Sequence, residues 1–273
     1  MTPGRLAVHE DALVAVQARA AQVYGSFDSG GHYSTPPAGS TEQDFEQGAI
    51  GALRLPVLER AQVALLVPLV ETRRTARGVG EFGGGLGDVN LSARYDFLYA
   101  GQNQYIPGIA GLVGVTLPTG RPPESATQAQ ATDATGVGAF QGNLGIAFEQ
   151  LFGAWLVTAY GIVAKRAPRT VQGIRTELGT QWTVLVAVAY SLPHDYAIAL
   201  SASYTGEGNA DVQGLEAAGT ARRIPVLGLS GVVPVTDHFR FQGGLSGNPP
   251  IPSLGKNQPA TVGLTVTAVY AWY

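Results

Sequence analysis

The sequence predicts an all-β protein, a transmembrane antiparallel up-and-down β-barrel of 12 strands with short periplasmic turns and long extracellular loops. Three observations predict this class: few charges without an apolar helical segment, strands that alternate polar and apolar residues, and connections that alternate in length. The 273 residues are expected to form a single barrel domain, since all-β units can reach about 250 residues. Within it, residues 1–11 are expected to be an N-terminal periplasmic segment.

The composition excludes several classes of protein. Charged residues make up 14% of the chain, against roughly 25% in an ordinary soluble domain. The net charge of −3 provides no basic surface, so no nucleic-acid partner is expected. Because the chain has no cysteine, disulfide frameworks and thiolate zinc sites are excluded, and no cofactor or metal is predicted.

The low charge does not come from a membrane-spanning helix. The longest charge-free stretch, residues 97–120, contains Gln102, Asn103, Gln104, two prolines and several glycines. A lipid-facing helix could not keep its backbone hydrogen bonds through such residues. Barrel strands need only about 9–11 residues to cross a bilayer, and only alternate residues must be apolar.

Alternation is clearest over residues 88–97. Val89, Leu91, Ala93, Tyr95 and Phe97 share one face of a strand, and the polar residues between them share the other. In a membrane barrel the apolar face contacts lipid and the polar face lines the lumen. Less regular alternation elsewhere gives twelve candidate strands, at about 12–27, 43–55, 61–73, 86–98, 106–117, 138–150, 154–165, 178–191, 196–206, 222–233, 239–247 and 260–273.

The connections between these strands alternate in length. Short ones fall near 56–60, 99–105, 151–153, 192–195 and 234–238. Long, polar or glycine-rich ones fall near 28–42, 74–85, 118–137, 166–177, 207–221 and 248–259. Outer-membrane barrels show this asymmetry together with an even number of strands, whereas a soluble sandwich has no reason to keep it.

Aromatic residues cluster beside the predicted short turns. They are Phe97, Tyr99, Phe152, Trp155, Tyr190, Tyr196, Phe239, Tyr270, Trp272 and Tyr273. Such residues favour membrane–water interfaces, so they predict a girdle at the periplasmic rim. The last strand ends in an aromatic residue and resembles the C-terminal assembly signal of bacterial outer-membrane proteins. Its register stays open, because a slip of one residue would exchange its lipid and lumen faces.

Two sequence patterns suggest other functions, but the residues around them do not support those functions. Residues 78–83 match G-x-G-x-x-G, but no hydrophobic strand precedes them and glycines follow them, so a nucleotide site is not expected.

The histidines are His9, His32, His194 and His238, and none has a partner at metal-ligand spacing. An outer-membrane lipid hydrolase would need a histidine on a strand beside a serine at the outer rim. Only His32 falls near that rim, so the chain is not expected to be an enzyme.

Polar residues on the predicted inward faces are the candidate functional residues. They are Arg19, Arg54, Asp88, Asn90, Arg94, Asp96, Gln141, Asn143 and Glu149. One interpretation is a salt-bridged network that stiffens the wall, since unpaired charges away from water are costly. The other is a constriction that selects solutes by size and charge. Both interpretations stay open.

Three short motifs resemble a known family. They are Gly85-Leu86-Gly87-Asp88-Val89, Pro118-Thr119-Gly120 within 117–121, and Thr135-Gly136. Over residues 80–150 they resemble the outer-membrane β-barrel family linked to transport in the meta-pathway of phenol degradation. The resemblance implies uptake of small hydrophobic or aromatic compounds. At the outer rim, Asp88 is expected to accept backbone N–H bonds, and the loop over 122–133 is expected to be mobile.

These observations predict a channel in a bacterial outer membrane for passive uptake of small, weakly polar or aromatic solutes through a narrow lumen. About eight strands leave an interior filled by side chains and about sixteen leave a wide pore, so twelve suggest a narrow one. The alternative is a non-conducting barrel that anchors or scaffolds an envelope assembly with protein partners. Met1 is the only methionine and no apolar segment follows it. We therefore expect that a signal peptide was removed.

Overall fold

Twelve antiparallel strands form a closed ring, in which the last strand pairs with the first. The computed structural model describes residues 5–103, 105–171 and 173–273. The strands are β1 (Ala12–Phe27), β2 (Thr41–Leu55), β3 (Leu58–Ala76), β4 (Val89–Leu98), β5 (Gly108–Leu117), β6 (Gln141–Phe152), β7 (Trp155–Arg166), β8 (Gln181–Ser191), β9 (Ala197–Glu207), β10 (Arg222–Pro234), β11 (Phe239–Gly247) and β12 (Gln258–Trp272). The predicted fold class is confirmed, and each strand begins and ends within a few residues of its predicted bounds.

The two faces of each strand differ as the alternation predicts. On β8, Val184, Val186 and Val188 are exposed on the outside, and Thr183 and Ala187 face inward. Similar outward apolar side chains occur around the ring: Val16, Leu53, Leu65, Leu91, Val113, Leu144, Val163, Val184, Leu200, Leu229, Leu245 and Leu264. A ring with no free edge and an apolar outer band is the arrangement that can cross a bilayer as strands. In the part of the chain that is described, no helix is long and apolar enough to cross a membrane.

Pairing of β12 with β1 settles the register that the sequence left open. Leu264, Tyr270 and Trp272 are exposed on the outer face, while Val269 and Ala271 are buried inside. Fifteen paired positions, from Ala12 opposite Trp272 to Phe27 opposite Gln258, fix this register. The more apolar face of the last strand is therefore the lipid face.

The prediction of a loop over 74–85 is wrong. Strand β3 continues past the ring and forms a hairpin with Val79–Leu86. Arg77 and Gly78 connect the two strands, with φ of 51° and 82°, and two residues at positive φ are the signature of a tight type I′ hairpin turn. The glycines of residues 80–87 suggested a loop, but pairing with β3 holds them extended.

The other long loops carry short elements. Tyr33–Ser34 pairs with the end of β1. Arg169–Val171, Ile174–Glu177, Ala210–Val212 and Leu215–Ala217 form a small four-stranded sheet. This sheet joins the loop after β7 to the loop after β9, because Ile174–Glu177 pairs with Ala210–Val212. A single-turn 3₁₀ helix lies at Pro123–Ser125.

Candidate functional site

The N-terminal segment, residues 5–10, lies inside the ring at its short-turn end. The backbone N–H of Asp11 donates to the carbonyl of Trp272 (2.9 Å), which fixes the start of β1. The guanidinium of Arg54 donates to the carbonyls of Ala7 (2.7 Å) and Glu10 (2.8 Å). Arg54 was predicted as a lumen residue that sets selectivity, and these bonds place it against the N-terminal segment.

Both ends of the N-terminal segment are anchored. Leu6 is buried in an apolar cluster with Leu13, Ile50 and Val269. The carboxylate of Glu10 is fully buried and accepts bonds from Arg240 on β11. Burial alone would raise the pKa of Glu10, but hydrogen bonds from Arg240 and the Ala7 N–H outweigh it and leave the pKa below its usual value. The segment is therefore held by both apolar and ionic contacts.

Arg5, Arg94, Asp96 and Glu149 form one charged group, which we call the lower cluster. Arg94 donates through Nη2 to Asp96 (2.7 Å) and through Nη1 to Glu149 (3.2 Å). Arg5 bonds to the other oxygen of Glu149, and burial lowers its pKa from the ordinary arginine value. The structure thus brings together three of the predicted lumen residues and adds Arg5 from the N-terminal segment.

A second polar group, the upper cluster, lies towards the long-loop end and centres on Arg166. The guanidinium of Arg166 donates to Gln141 (2.9 Å) and Glu207 (2.9 Å), and Gln181 accepts at 3.4 Å. Gln141 in turn donates to Asn143 (2.9 Å). Gln141 and Asn143 were predicted, whereas Arg166, Gln181 and Glu207 were not.

A cavity of about 180 Å³ lies on the inner wall between the two clusters. Its apolar lining includes Ala64, Leu66, Leu112 and Ile162. Its polar lining includes Gln62, Asn90, Ser92 and Asn143. Among the described residues that line it, the charged ones are Arg5 and Arg94. Such a mixture of apolar wall and few convergent polar groups is typical of small-molecule sites.

The motif residues join two strands to the loop 118–140. The carboxylate of Asp88 accepts the backbone N–H groups of Gly120 (2.9 Å) and Val137 (2.7 Å). Thr119 donates its hydroxyl to the carbonyl of Gly87 (2.6 Å). Gly120 is needed, because a Cβ there would lie 2.8 Å from the Cα of Gly136. Asp88 therefore accepts backbone N–H bonds at the outer rim, as expected, and binds the loop. Its part in selectivity stays a prediction.

The remaining motif residues shape the same junction. Pro118 directly follows β5, where its missing N–H ends the ladder. Gly85 pairs with Val70 in the hairpin. A Cβ on Gly87 would lie 2.9 Å from the ring of Pro68, so glycine allows the chain to pass close to Pro68, where the Gly87 N–H donates to the Pro68 carbonyl (2.8 Å).

The loop 118–140, which was expected to be mobile, contains a set of hydrogen bonds centred on Asp133. The backbone N–H and hydroxyl of Thr127, Arg121 and the N–H of Gln128 all donate to Asp133. These bonds, led by the Thr127 N–H, hold the pKa of Asp133 well below its usual range. Glu81 also accepts the N–H groups of Ala129 and Gln130, which ties the loop to the hairpin.

Replacing Asp133 is expected to loosen this loop. In Asp133→Asn, amide hydrogen exchange of residues 121–135 should rise by about tenfold or more at neutral pH, because several charge-assisted bonds are lost. Since the folded pKa is depressed, the stabilisation is present above the unfolded value of about 3.9 and is lost only as the pH falls through the depressed value. Asp211→Asn, in a different outer hairpin, is the control, and equal exchange in both variants would contradict this role.

Of the two remaining predicted lumen residues, Asn90 lines the cavity and Arg19 does not. Arg19 pairs with Glu46 at 3.7 Å and is half-exposed. Asn90 lines the cavity and donates to the hydroxyl of Thr116 (3.0 Å). Arg19 thus contributes to the wall of the lumen, and within the described part of the chain it makes no hydrogen bond or ion pair with either cluster.

Most of the predicted interface aromatics lie on the outer face beside the short turns. The rings of Trp155 and Tyr190 are 4.7 Å apart, and those of Tyr270 and Trp272 are 4.8 Å apart. Phe97, Phe152, Tyr196 and Phe239 occupy equivalent positions at strand ends, and Tyr99 lies in the turn after β4. Tyr273 differs, because its ring stacks on His9 (5.1 Å) of the segment entering the barrel.

The histidines are spread over four separate places. His32 bonds to Asp28 (3.2 Å) in an exposed outer loop, and His238 bonds to the carbonyl of Ala271 (3.0 Å). Within the described residues no serine hydroxyl is hydrogen-bonded to a histidine, and no group of three or more acidic or histidine side chains could hold a metal ion.

A closed ring of twelve strands, an outer apolar band, an aromatic rim and a polar lumen together define a β-barrel protein of the bacterial outer membrane. By this assignment the short turns are periplasmic and the long loops are extracellular. The chain belongs to the family described as "Putative MetA-pathway of phenol degradation", whose model matches residues 27–248. The resemblance seen in the motifs is therefore confirmed.

Solved structures show the same fold. An outer membrane channel from Pseudomonas putida F1 superposes with a TM-score of 0.81 at 14% identity, covering 99% of this chain and 98% of that one. The β domain of the Bordetella autotransporter BrkA gives a TM-score of 0.50 at 11% identity, covering 95% and 99% of the two chains. A search of curated protein sequences found no match.

Sequence reasoning missed two kinds of residue. Arg166 and Arg240 continue the inward-facing parity of their strands, so a stricter reading of the alternation would have found them. Arg5 and Glu10 precede the first strand, and no local pattern marks them. Only the path of the N-terminal segment through the ring brings them to their partners.

Proposed function

We propose that the chain is a passive outer-membrane channel for small, weakly polar or aromatic solutes. The observation that supports this most is the cavity on the inner wall, which combines an apolar lining from Leu66, Leu112 and Ile162 with amide side chains. Such a lining offers a weakly polar solute both dispersion contacts and hydrogen bonds.

The size of the pore follows from the strand number and the N-terminal segment. A ring of twelve strands is wider than the side-chain-filled interior of about eight strands and narrower than a diffusion porin. Residues 5–10 occupy part of its periplasmic mouth, where Arg54 and Arg240 bind them. The channel we propose is therefore narrow and passes small solutes only.

Family and fold relatives support the same proposal. The family description refers to phenol degradation, and the Pseudomonas putida structure with the high TM-score is described as an outer membrane channel. Phenol and related single-ring compounds match the mixed apolar and amide lining of the cavity.

Recording from planar bilayers tests the proposal. Purified protein should give discrete conductance steps in concentrated KCl that are small compared with those of a general porin. Proteoliposomes should also take up phenol faster than liposomes that contain an equal amount of protein denatured before reconstitution. Silent bilayers at every voltage, together with equal uptake, would contradict a channel.

The second candidate is a non-conducting barrel that anchors an envelope assembly. One observation favours it, namely that the N-terminal segment fills part of the lumen and is bound at both ends. In the four-stranded sheet of the long loops, Leu215 is 75% exposed. It would give a protein partner an apolar contact. Silent bilayers combined with recovery of a defined envelope partner would support this candidate over the channel.

A further inference from the structure

The charges that face the cavity have one sign. Arg5 and Arg94 are among its lining residues, whereas their acidic partners Asp96 and Glu149 are not. The two carboxylates pair with the guanidiniums and balance their charge, but among the described lining residues the charged ones are the two arginines. A site of this kind favours an anion over a neutral or cationic solute of the same size.

From this we infer that the cavity binds a small organic monocarboxylate whose body is a single aromatic or apolar ring. The inference deepens the proposed function, because it names the solute class that the lumen retains. It depends on three features, which are free hydrogen-bond donors, an apolar wall and a matching volume.

The free donors belong mainly to Arg5. Arg94 uses Nε and Nη2 on Asp96 and Nη1 on Glu149. Across residues 5–103, 105–171 and 173–273, the side chain of Arg5 makes one hydrogen bond, through Nη2 to Glu149. A guanidinium has five N–H donors. Arg5 therefore keeps donors for a carboxylate, which it can bind with charge-assisted bonds.

The remaining wall fits an apolar ring. Leu66, Leu112 and Ile162 provide side chains for its faces, and Gly114 leaves space between them. The volume of about 180 Å³ exceeds the roughly 150 Å³ cavity that accommodates benzene, which leaves room for one substituent. Asn143 is placed to orient a second polar group on the ring.

Calorimetry on the full-length protein in detergent micelles tests the inference, with benzoate as the probe and benzamide as its neutral counterpart of equal shape. Benzoate should bind saturably, and benzamide at least about tenfold more weakly, because it cannot form the charge-assisted bonds. Arg5→Gln should weaken benzoate binding by about tenfold and leave benzamide binding little changed. Arg175→Gln, an exposed arginine of an outer hairpin, is the matched control.

Equal affinity for the two probes would overturn the inference, as would unchanged benzoate binding in Arg5→Gln. A further variant, Ala64→Phe, fills the cavity without altering its charges and should abolish binding of both probes. The result is independent of the channel test. Benzoate binding with silent bilayers would refute conduction and leave the site, whereas conduction without benzoate binding would refute the site and leave the channel.

Discussion

Deletion of residues 2–10 is expected to raise the single-channel conductance by about twofold or more. The deletion removes the segment that Arg54 and Arg240 hold across the periplasmic mouth, and conductance follows the open cross-section of a pore. Planar-bilayer recording of the wild-type and deleted proteins under the same ionic conditions measures the change. The deleted protein should also lose its discrimination between small and large solutes in liposome-swelling assays.

Val8→Ala is the matched control for this deletion. The side chain of Val8 is exposed to 61%, so its truncation should leave the segment in place and the conductance unchanged. If the deleted protein conducts no better than wild type, the N-terminal segment does not limit the pore. In that case the narrowest point lies at another level of the lumen.

Replacement of Arg94 by methionine is expected to destabilise the barrel by about 3–5 kcal/mol. The side chains of Arg94, Asp96 and Glu149 are exposed to 12%, 10% and 4%, and removal of one member of a buried ion pair leaves an uncompensated charge. The uncompensated charge is that of Asp96, because Glu149 keeps its bond to Arg5. Urea unfolding in lipid vesicles, followed by tryptophan fluorescence, measures the loss.

Two further variants separate this effect from a general loss of charge. Arg19→Met removes an arginine whose pair with Glu46 is half-exposed, and its cost should stay below about 1 kcal/mol. Asp96→Asn in the Arg94→Met background should recover part of the lost stability, since it removes the unpaired carboxylate. Equal destabilisation by the two arginine substitutions would show that the lower cluster is not a buried network.

In the channel we propose, the two clusters and the cavity divide stability and selectivity between them. Arginine–carboxylate pairs link strands of the wall at two levels, and the cavity between them offers apolar and amide groups to a solute. The stiffening network and the selective constriction proposed from the sequence therefore need not be alternatives. Arg94 belongs to the network through Asp96 and Glu149 and also faces the cavity.

In the outer loops, local composition did not predict the hairpins that the chain forms there. The glycines before Gly87 suggested a flexible connection, but tight turns at Arg77-Gly78 and at Gln213-Gly214 build hairpins. Asp133 lies in a polar loop whose composition suggested mobility, and its bonds to Thr127 and Arg121 join separate parts of that loop. Composition reports average propensity, whereas order depends on which particular groups find partners.

The amino-acid sequence by itself determined the twelve strands, their lipid and lumen faces, the alternation of loop lengths and the family. Each of these depends on a period of two residues or on short motifs, which are local properties. The tertiary structure alone decided which lumen charges meet, which backbone N–H groups bond to Asp88, and that Arg5 and Glu10 lie inside the ring. Those contacts join residues as far apart as Glu10 and Arg240, and only closure of the ring sets such distances.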